Sequence, residues 1–197
     1  MRSSRFVRRG LAVVLAAALP AVLPAAARAD DGLIDEFRLG VYEHDASILG
    51  HQKETGADIG AELLFTSPAF LNVIWSPRPV IGGLVNTSGQ TDQAYGGLTW
   101  TWDFLSNVLM NGDGFYVEGT LGGGWNDGKI NVTGAEESQH RKSLGSNALF
   151  REDADLGYRI TPQWSIAISY NHISDADLAK RNEGAERVLT AQQAPAS

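Results

Sequence analysis

The 197-residue chain contains no cysteine, which excludes disulfide staples and thiolate metal sites. Long apolar runs are equally scarce. Beyond residue 29 no stretch approaches the ~20 apolar residues that a transmembrane helix requires, so a helical membrane protein is excluded. Basic charge is thin as well: once the five arginines of the first 29 residues are set aside, 11 of the 16 basic residues face 23 acidic ones, a formal −12. Nucleic acid is a poor partner for such a surface. Stability must therefore come from a hydrogen-bonded ladder, a core or a lipid surround.

The N-terminus has the anatomy of an export signal. Arg2, Arg5, Arg8 and Arg9 precede an apolar run from Leu11 to Leu23 that closes on Ala27-Arg28-Ala29, so residues 1–29 are expected to be removed before Asp30. Residues 30–197 then form a single domain with no linker or internal repeat. Alternation of apolar and polar residues between turn clusters predicts strands near 36–46, 55–66, 79–88, 91–104, 114–125, 144–160, 163–174 and 184–190, with Ala191 to Ser197 left as a tail. Short turns such as Asn86-Thr87-Ser88-Gly89 and Thr161-Pro162 alternate with long polar connections at 126–143 and 175–183. That alternation is characteristic of an eight-stranded antiparallel outer-membrane β-barrel.

Two further patterns favour that all-β fold over a soluble sandwich. Glycines sit inside the predicted strands, in Gly82-Gly83, Gly96-Gly97 and Gly122-Gly123-Gly124, where a small closed sheet needs curvature and close packing. Carboxylates do too: Asp58, Glu62, Glu118, Asp153 and Asp155 fall at strand-interior positions, and each would need a cation such as Arg38, Arg151 or Arg159 opposite it. A polar lumen accommodates them; an apolar core does not.

The chemistry concentrates in the strand that begins at Trp164. Its alternate residues Trp164, Ile166, Ile168 and Tyr170 form an apolar face that runs directly into His172 and Ser174. A serine needs a base to become a nucleophile, and a base needs a third group to fix its tautomer. His172 lies two residues from Ser174 on the same face. Glu186 falls on the next predicted strand, where an antiparallel neighbour can bring it to the imidazole. On its own, a histidine and serine at a strand end is more often structural than catalytic.

The run Asn171-His172-Ile173-Ser174-Asp175-Ala176-Asp177-Leu178, followed by Asn182-Glu183-Gly184-Ala185-Glu186, resembles the signature of the PagL-type lipid A 3-O-deacylases, roughly H-x-S-N-A-x-L and then N-x-G-x-E. Arg78-Pro79, Tyr95-Gly96-Gly97-Leu98-Thr99-Trp100, Leu149-Phe150-Arg151-Glu152 and Leu156-Gly157-Tyr158-Arg159 extend the likeness over most of the chain. The resemblance implies an outer-membrane serine esterase that acts on lipopolysaccharide without a cofactor or metal. It assigns Ser174 as nucleophile, His172 as general base and Glu186 as the orienting acid. Backbone N–H groups around Asp175 to Asp177, with the Asn182 side chain, would supply oxyanion donors. Asp175 stands where the pattern has asparagine. Lys180 and Arg181, and Arg141 and Lys142 in another long connection, are candidates for the substrate's phosphates, with solvated loop charge as the alternative. A homodimer is compatible with the sequence. The rival readings are a non-catalytic barrel of the same ancestry and a soluble periplasmic β-barrel that binds an apolar ligand.

Overall fold

The computed structural model describes residues 32–46, 53–174 and 185–195. Eight strands follow in chain order: β1 (Ile34–His44), β2 (Ala57–Phe65), β3 (Arg78–Asn86), β4 (Gln93–Ser106), β5 (Gly114–Asn126), β6 (Ala148–Thr161), β7 (Trp164–Ser174) and β8 (Ala185–Pro195). Each pairs antiparallel with its sequence neighbour, and β1 pairs with β8, so the sheet closes on itself. The closure leaves no sheet edge to template aggregation. Connections 66–77, 107–113 and 162–163 lie at one end, the lower; 87–92 and 127–147 lie at the other, the upper, with residues 45–46 and 53–56 and the facing ends of β7 and β8. No helix among the described residues is long and apolar enough to cross a membrane, which leaves the question of strand crossing open.

The polarity of this sheet is inside out. On the outer face Val41, Ile59, Ile81, Leu121, Leu156 and Ile168 are each half-exposed or more. On the inner face Arg38, Asp58, Glu62, Glu118, Arg151 and Asp155 are buried. Strand alternation produces both rows from one sequence, and hydrocarbon is the solvent that such an exterior suits.

The buried charges are paired. Arg38 reaches Glu118 at 2.7 Å and Glu36 at 2.8 Å, and Arg78 reaches the same two carboxylates at 2.7 Å each. Arg151 bonds Asp153 at 2.9 Å and lies over the Tyr95 ring, 3.7 Å from its centre, while the Tyr95 hydroxyl donates to Glu62 at 2.7 Å. Arg159, expected among the interior cations, instead meets half-exposed Asp103 at 2.7 Å. Asp58 pairs with Arg187, which sequence reasoning had not considered. The cause is position: Arg159 lies at the lower end of β6, beyond the carboxylate cluster, whereas Arg187 enters the lumen from β8.

The in-strand glycines make room for lumen tyrosines. Gly82 is the cross-strand partner of Tyr95, and a Cβ there would meet the Tyr95 ring at 2.6 to 2.8 Å. Gly157 and Tyr116 repeat the arrangement between β6 and β5. Alternating small and large residues is how a narrow barrel fills its interior.

One expectation needs correction. The tail predicted from Ala191 is strand: β8 continues to Pro195, with Leu39 opposite Gln193 and Trp164 opposite Pro195. Ala-Gln-Gln-Ala carries no apolar alternation, so its strand character comes from backbone pairing with β1 rather than from pattern. The lower connection 66–77 also contains a 3₁₀ helix, Ala69–Ile74, that ends on two left-handed residues, Trp75 at φ 65° and Ser76 at φ 52°. The Trp100 indole N–H ties it to the barrel by donating to the Ile74 carbonyl at 2.8 Å.

Candidate active site

Strand β7 carries the site to the upper rim. Ser165, Ala167, Ser169, Asn171 and Ile173 are buried, so the intervening residues Trp164, Ile166 and Ile168 form the exposed row, and His172 and Ser174 continue that row as half-buried residues. The expected face of the strand is therefore the outer wall. Ile173, between the histidine and the serine, is locked into an apolar cluster with Leu144 and Leu149. Leu144 belongs to the 127–147 connection, which folds back on itself through Leu144 N–H to Lys129 O at 2.9 Å and Gly145 N–H to Ile130 O at 3.0 Å. That cluster fixes the end of β7 from the inside while its outward residues remain available.

Cross-strand partners share a face, so register identifies the neighbours of the pair. His172 is opposite Glu186 on β8 and opposite Glu152 on β6; Ser174 is opposite Phe150. A carboxylate position thus flanks the imidazole on each side. His172 Nδ1 is enclosed and has no hydrogen-bond partner among the described residues. An enclosed ring nitrogen costs free energy until a partner is found, and carboxylates stand at both adjacent positions. Glu186 was anticipated from spacing. Glu152 was not, although Phe150, Glu152, Ala154 and Leu156 form one outward row in which a carboxylate is conspicuous.

Beyond Phe150 the outer wall is hollow. A depression of about 1130 Å³ is floored by Gly96, Gly122, Gly123 and Gly124 and bounded by Ala94, Trp125, Ala148 and Phe150. Its volume exceeds the ~300–1,000 Å³ of ordinary ligand pockets, as suits an open surface hollow. Glycines on facing strands leave the floor without side chains, because Gly96 is the partner of Gly123 and Gly97 of Gly122.

The upper rim above the lumen is an ion-paired lattice. His44 meets Asp58 through Nδ1 at 2.8 Å and Glu54 through Nε2 at 2.9 Å. Thr91 donates to Glu54 at 2.8 Å. Burial opposes the ionisation of Glu54, yet the hydrogen bonds from His44 and Thr91 hold its carboxyl below the usual range. Arg141 lies 3.3 Å from Glu54 and donates to Gln90 at 2.5 Å, while Lys142 is buried and pairs with Asp45 at 2.5 Å. Both cations, expected as candidates for the substrate's phosphates, stand against rim carboxylates. Asp175, Asp177, Lys180, Arg181 and Asn182 lie outside the described residues, as does the 1–29 segment.

Fold and site together define a closed antiparallel barrel that bears a serine–histidine pair on its apolar outer wall. The family model described as lipid A 3-O-deacylase (PagL) matches residues 83–190, a span that includes His172, Ser174 and Glu186. The chain belongs to that family. A crystal structure of the outer membrane enzyme PagL superposes with a TM-score of 0.60 at 14% identity, covering 81% of this chain and 97% of that one. No curated protein matches the chain.

Proposed function

We propose that this protein is an eight-stranded outer-membrane serine esterase that removes the 3-linked acyl chain of lipid A, reached after export directed by residues 1–29. The observation that carries the reading is the shared outward row of His172 and Ser174, with Glu186 in register on the next strand. Ser174 Oγ attacks the ester carbonyl and gives its proton to His172. The tetrahedral intermediate collapses, the sugar hydroxyl leaves with the proton from His172, and the acyl group remains on Ser174. Water, deprotonated by His172, then releases the fatty acid. Glu186 orients the imidazole and stabilises its charged form. Backbone N–H groups near Asp175 to Asp177 and the Asn182 amide serve the oxyanion, a role for which the carboxylate of Asp175 must point away. Lys180 and Arg181, with Arg141 and Lys142 on the rim, are the candidates for the phosphates.

The placement of the pair suits this substrate physically. Drawing an acyl chain from the membrane into water costs ~0.8 kcal/mol per CH₂, so an enzyme working from its outer wall avoids extraction. The glycine-floored depression next to Phe150 offers a surface along which an acyl chain can lie. The apolar exterior weighs against the soluble ligand-binding alternative. Outer membranes containing the wild type are compared with those containing Ser174→Ala, and the lipid A is weighed by mass spectrometry. Loss of one acyl mass only with the wild type is expected. Identical masses in the two samples sink the esterase reading in favour of a non-catalytic barrel.

A further inference from the structure

Strand β8 changes register partway along its length, and it does so on both edges. Its lower half pairs Val41 with Ala191 and Ser165 with Ala194; its upper half pairs Tyr42 with Leu189 and Tyr170 with Val188. Thr190 has no partner on β1, so β8 holds one extra residue there, a bulge. Carrying the lower register upward without the bulge would set Glu43 opposite Leu189 and, on the other edge, His172 opposite Arg187. A one-residue slip exchanges the two faces of a strand. The bulge therefore decides which of Glu186 and Arg187 stands beside the catalytic histidine.

Little else in β8 can make that choice. Val188-Leu189 and Gln192-Gln193 are adjacent residues of like chemistry, which either register accommodates equally. Glu186-Arg187 is the exception. Arg187 is fully buried in the lumen, its Nε bonded to Asp58 and its Nη2 donating to the Thr91 carbonyl at 3.1 Å. The socket is built from three other elements: Asp58 on β2 also accepts from His44 on β1 at 2.8 Å and from Asn86 on β3 at 2.8 Å. The slipped register would place Arg187 on the lipid wall and a second carboxylate, Glu186, beside Asp58.

We propose that Arg187 is a positioning residue for the esterase: its lumen ion pair with Asp58 holds the β8 bulge and so sets Glu186 opposite His172. The role rests on the reading of Glu186 as the orienting acid, but the register itself is measurable without substrate. The chain lacks cysteine, so introduced pairs report register directly. In full-length protein refolded in lipid vesicles, Glu43→Cys with Val188→Cys is expected to form a disulfide, and Glu43→Cys with Leu189→Cys is not. Arg187→Met moves crosslinking from the first pair to the second, and in the cysteine-free chain lowers kcat by about 100-fold with KM little changed. Arg187→Lys, which keeps the charge, restores the first crosslink and most of kcat. Arg187→Met that keeps both the 43/188 crosslink and kcat overturns the proposal, as does a moved crosslink with unchanged kcat. Should Arg187→Met fail to fold, Asp58→Asn decides, and an unshifted crosslink there also overturns it. A crosslink that shifts as expected in a protein whose wild type deacylates nothing refutes the esterase reading and leaves the register lock standing.

Discussion

Replacing Arg38 by methionine tests whether the lumen charges hold the barrel together. Arg38 is 4% exposed and contacts Glu118 at 2.7 Å and Glu36 at 2.8 Å, with Glu62 and Asp155 at 3.8 and 4.0 Å. Removing one partner of a buried pair costs ~3–5 kcal/mol because the other charge is stranded. Here Arg78 still reaches Glu36 and Glu118, so the expected loss is at the low end, about 3 kcal/mol. Arg159→Met is the control: its partner Asp103 is half-exposed, and an exposed pair is worth at most ~1 kcal/mol. Urea unfolding from phospholipid vesicles, followed by tryptophan fluorescence, gives both values. The double variant Arg38→Met/Glu118→Gln should recover part of the loss, because it removes a stranded carboxylate along with the cation. Equal losses for Arg38→Met and Arg159→Met, or no recovery in the double variant, would mean that lumen water solvates these groups and that the ion pairs do not hold the fold.

Other perturbations probe separate parts of the structure. Ile168→Arg, on the exposed row of β7, should destabilise the vesicle-embedded barrel by ~2–4 kcal/mol; a loss near zero by the same assay would mean that the wall faces water. Gly82→Ala forces a methyl into the Tyr95 ring, which is held from above by Arg151 and at its hydroxyl by Glu62, so a loss of ~1–3 kcal/mol is expected, and a neutral result would show that the ring moves freely. Glu54 has its carboxyl held below the usual value of 4.5, so its contribution to stability is complete above pH 4.5 and disappears as pH falls through the lower folded value. Unfolding measured against pH should therefore show the gap between wild type and Glu54→Gln closing in acid, and a gap that stays constant with pH contradicts the assignment.

The outer half of this structure was legible in the sequence because hydrophobic alternation has a period that local residues enforce. Trp164, Ile166 and Ile168 announce a face, and His172 and Ser174 inherit it by parity. Glu186 was legible through its spacing from His172, and the register sets the two opposite each other on neighbouring strands. Partner choice in the lumen was not. Arg38, Arg78 and Arg187 reach carboxylates on strands far away in sequence, and no local signal says which cation reaches which acid. The rim partners were hidden for the same reason: nothing local to Arg141-Lys142 says that Lys142 meets Asp45, at the end of a strand far away in sequence. The lower 3₁₀ helix escaped because six residues with no polar alternation also fit a loop.

Parity also separates what the two halves of each strand do. On β7, Asn171 and Ile173 point inward and His172 and Ser174 outward; on β6, Arg151 and Asp153 occupy the lumen while Phe150 and Glu152 stand beside the serine and histidine. Inward substitutions should therefore be read in unfolding and outward ones in turnover, with little mixing between neighbours one residue apart. Arg187 is the instructive exception. It is an inward residue whose loss should appear in turnover, because the quantity that it controls is the register shared by both faces. A lumen ion pair is an expensive way to stabilise a barrel, since each ion must first be stripped of water. It is a selective way to forbid one slip, because the penalty for a charge on the lipid side falls on the wrong register alone.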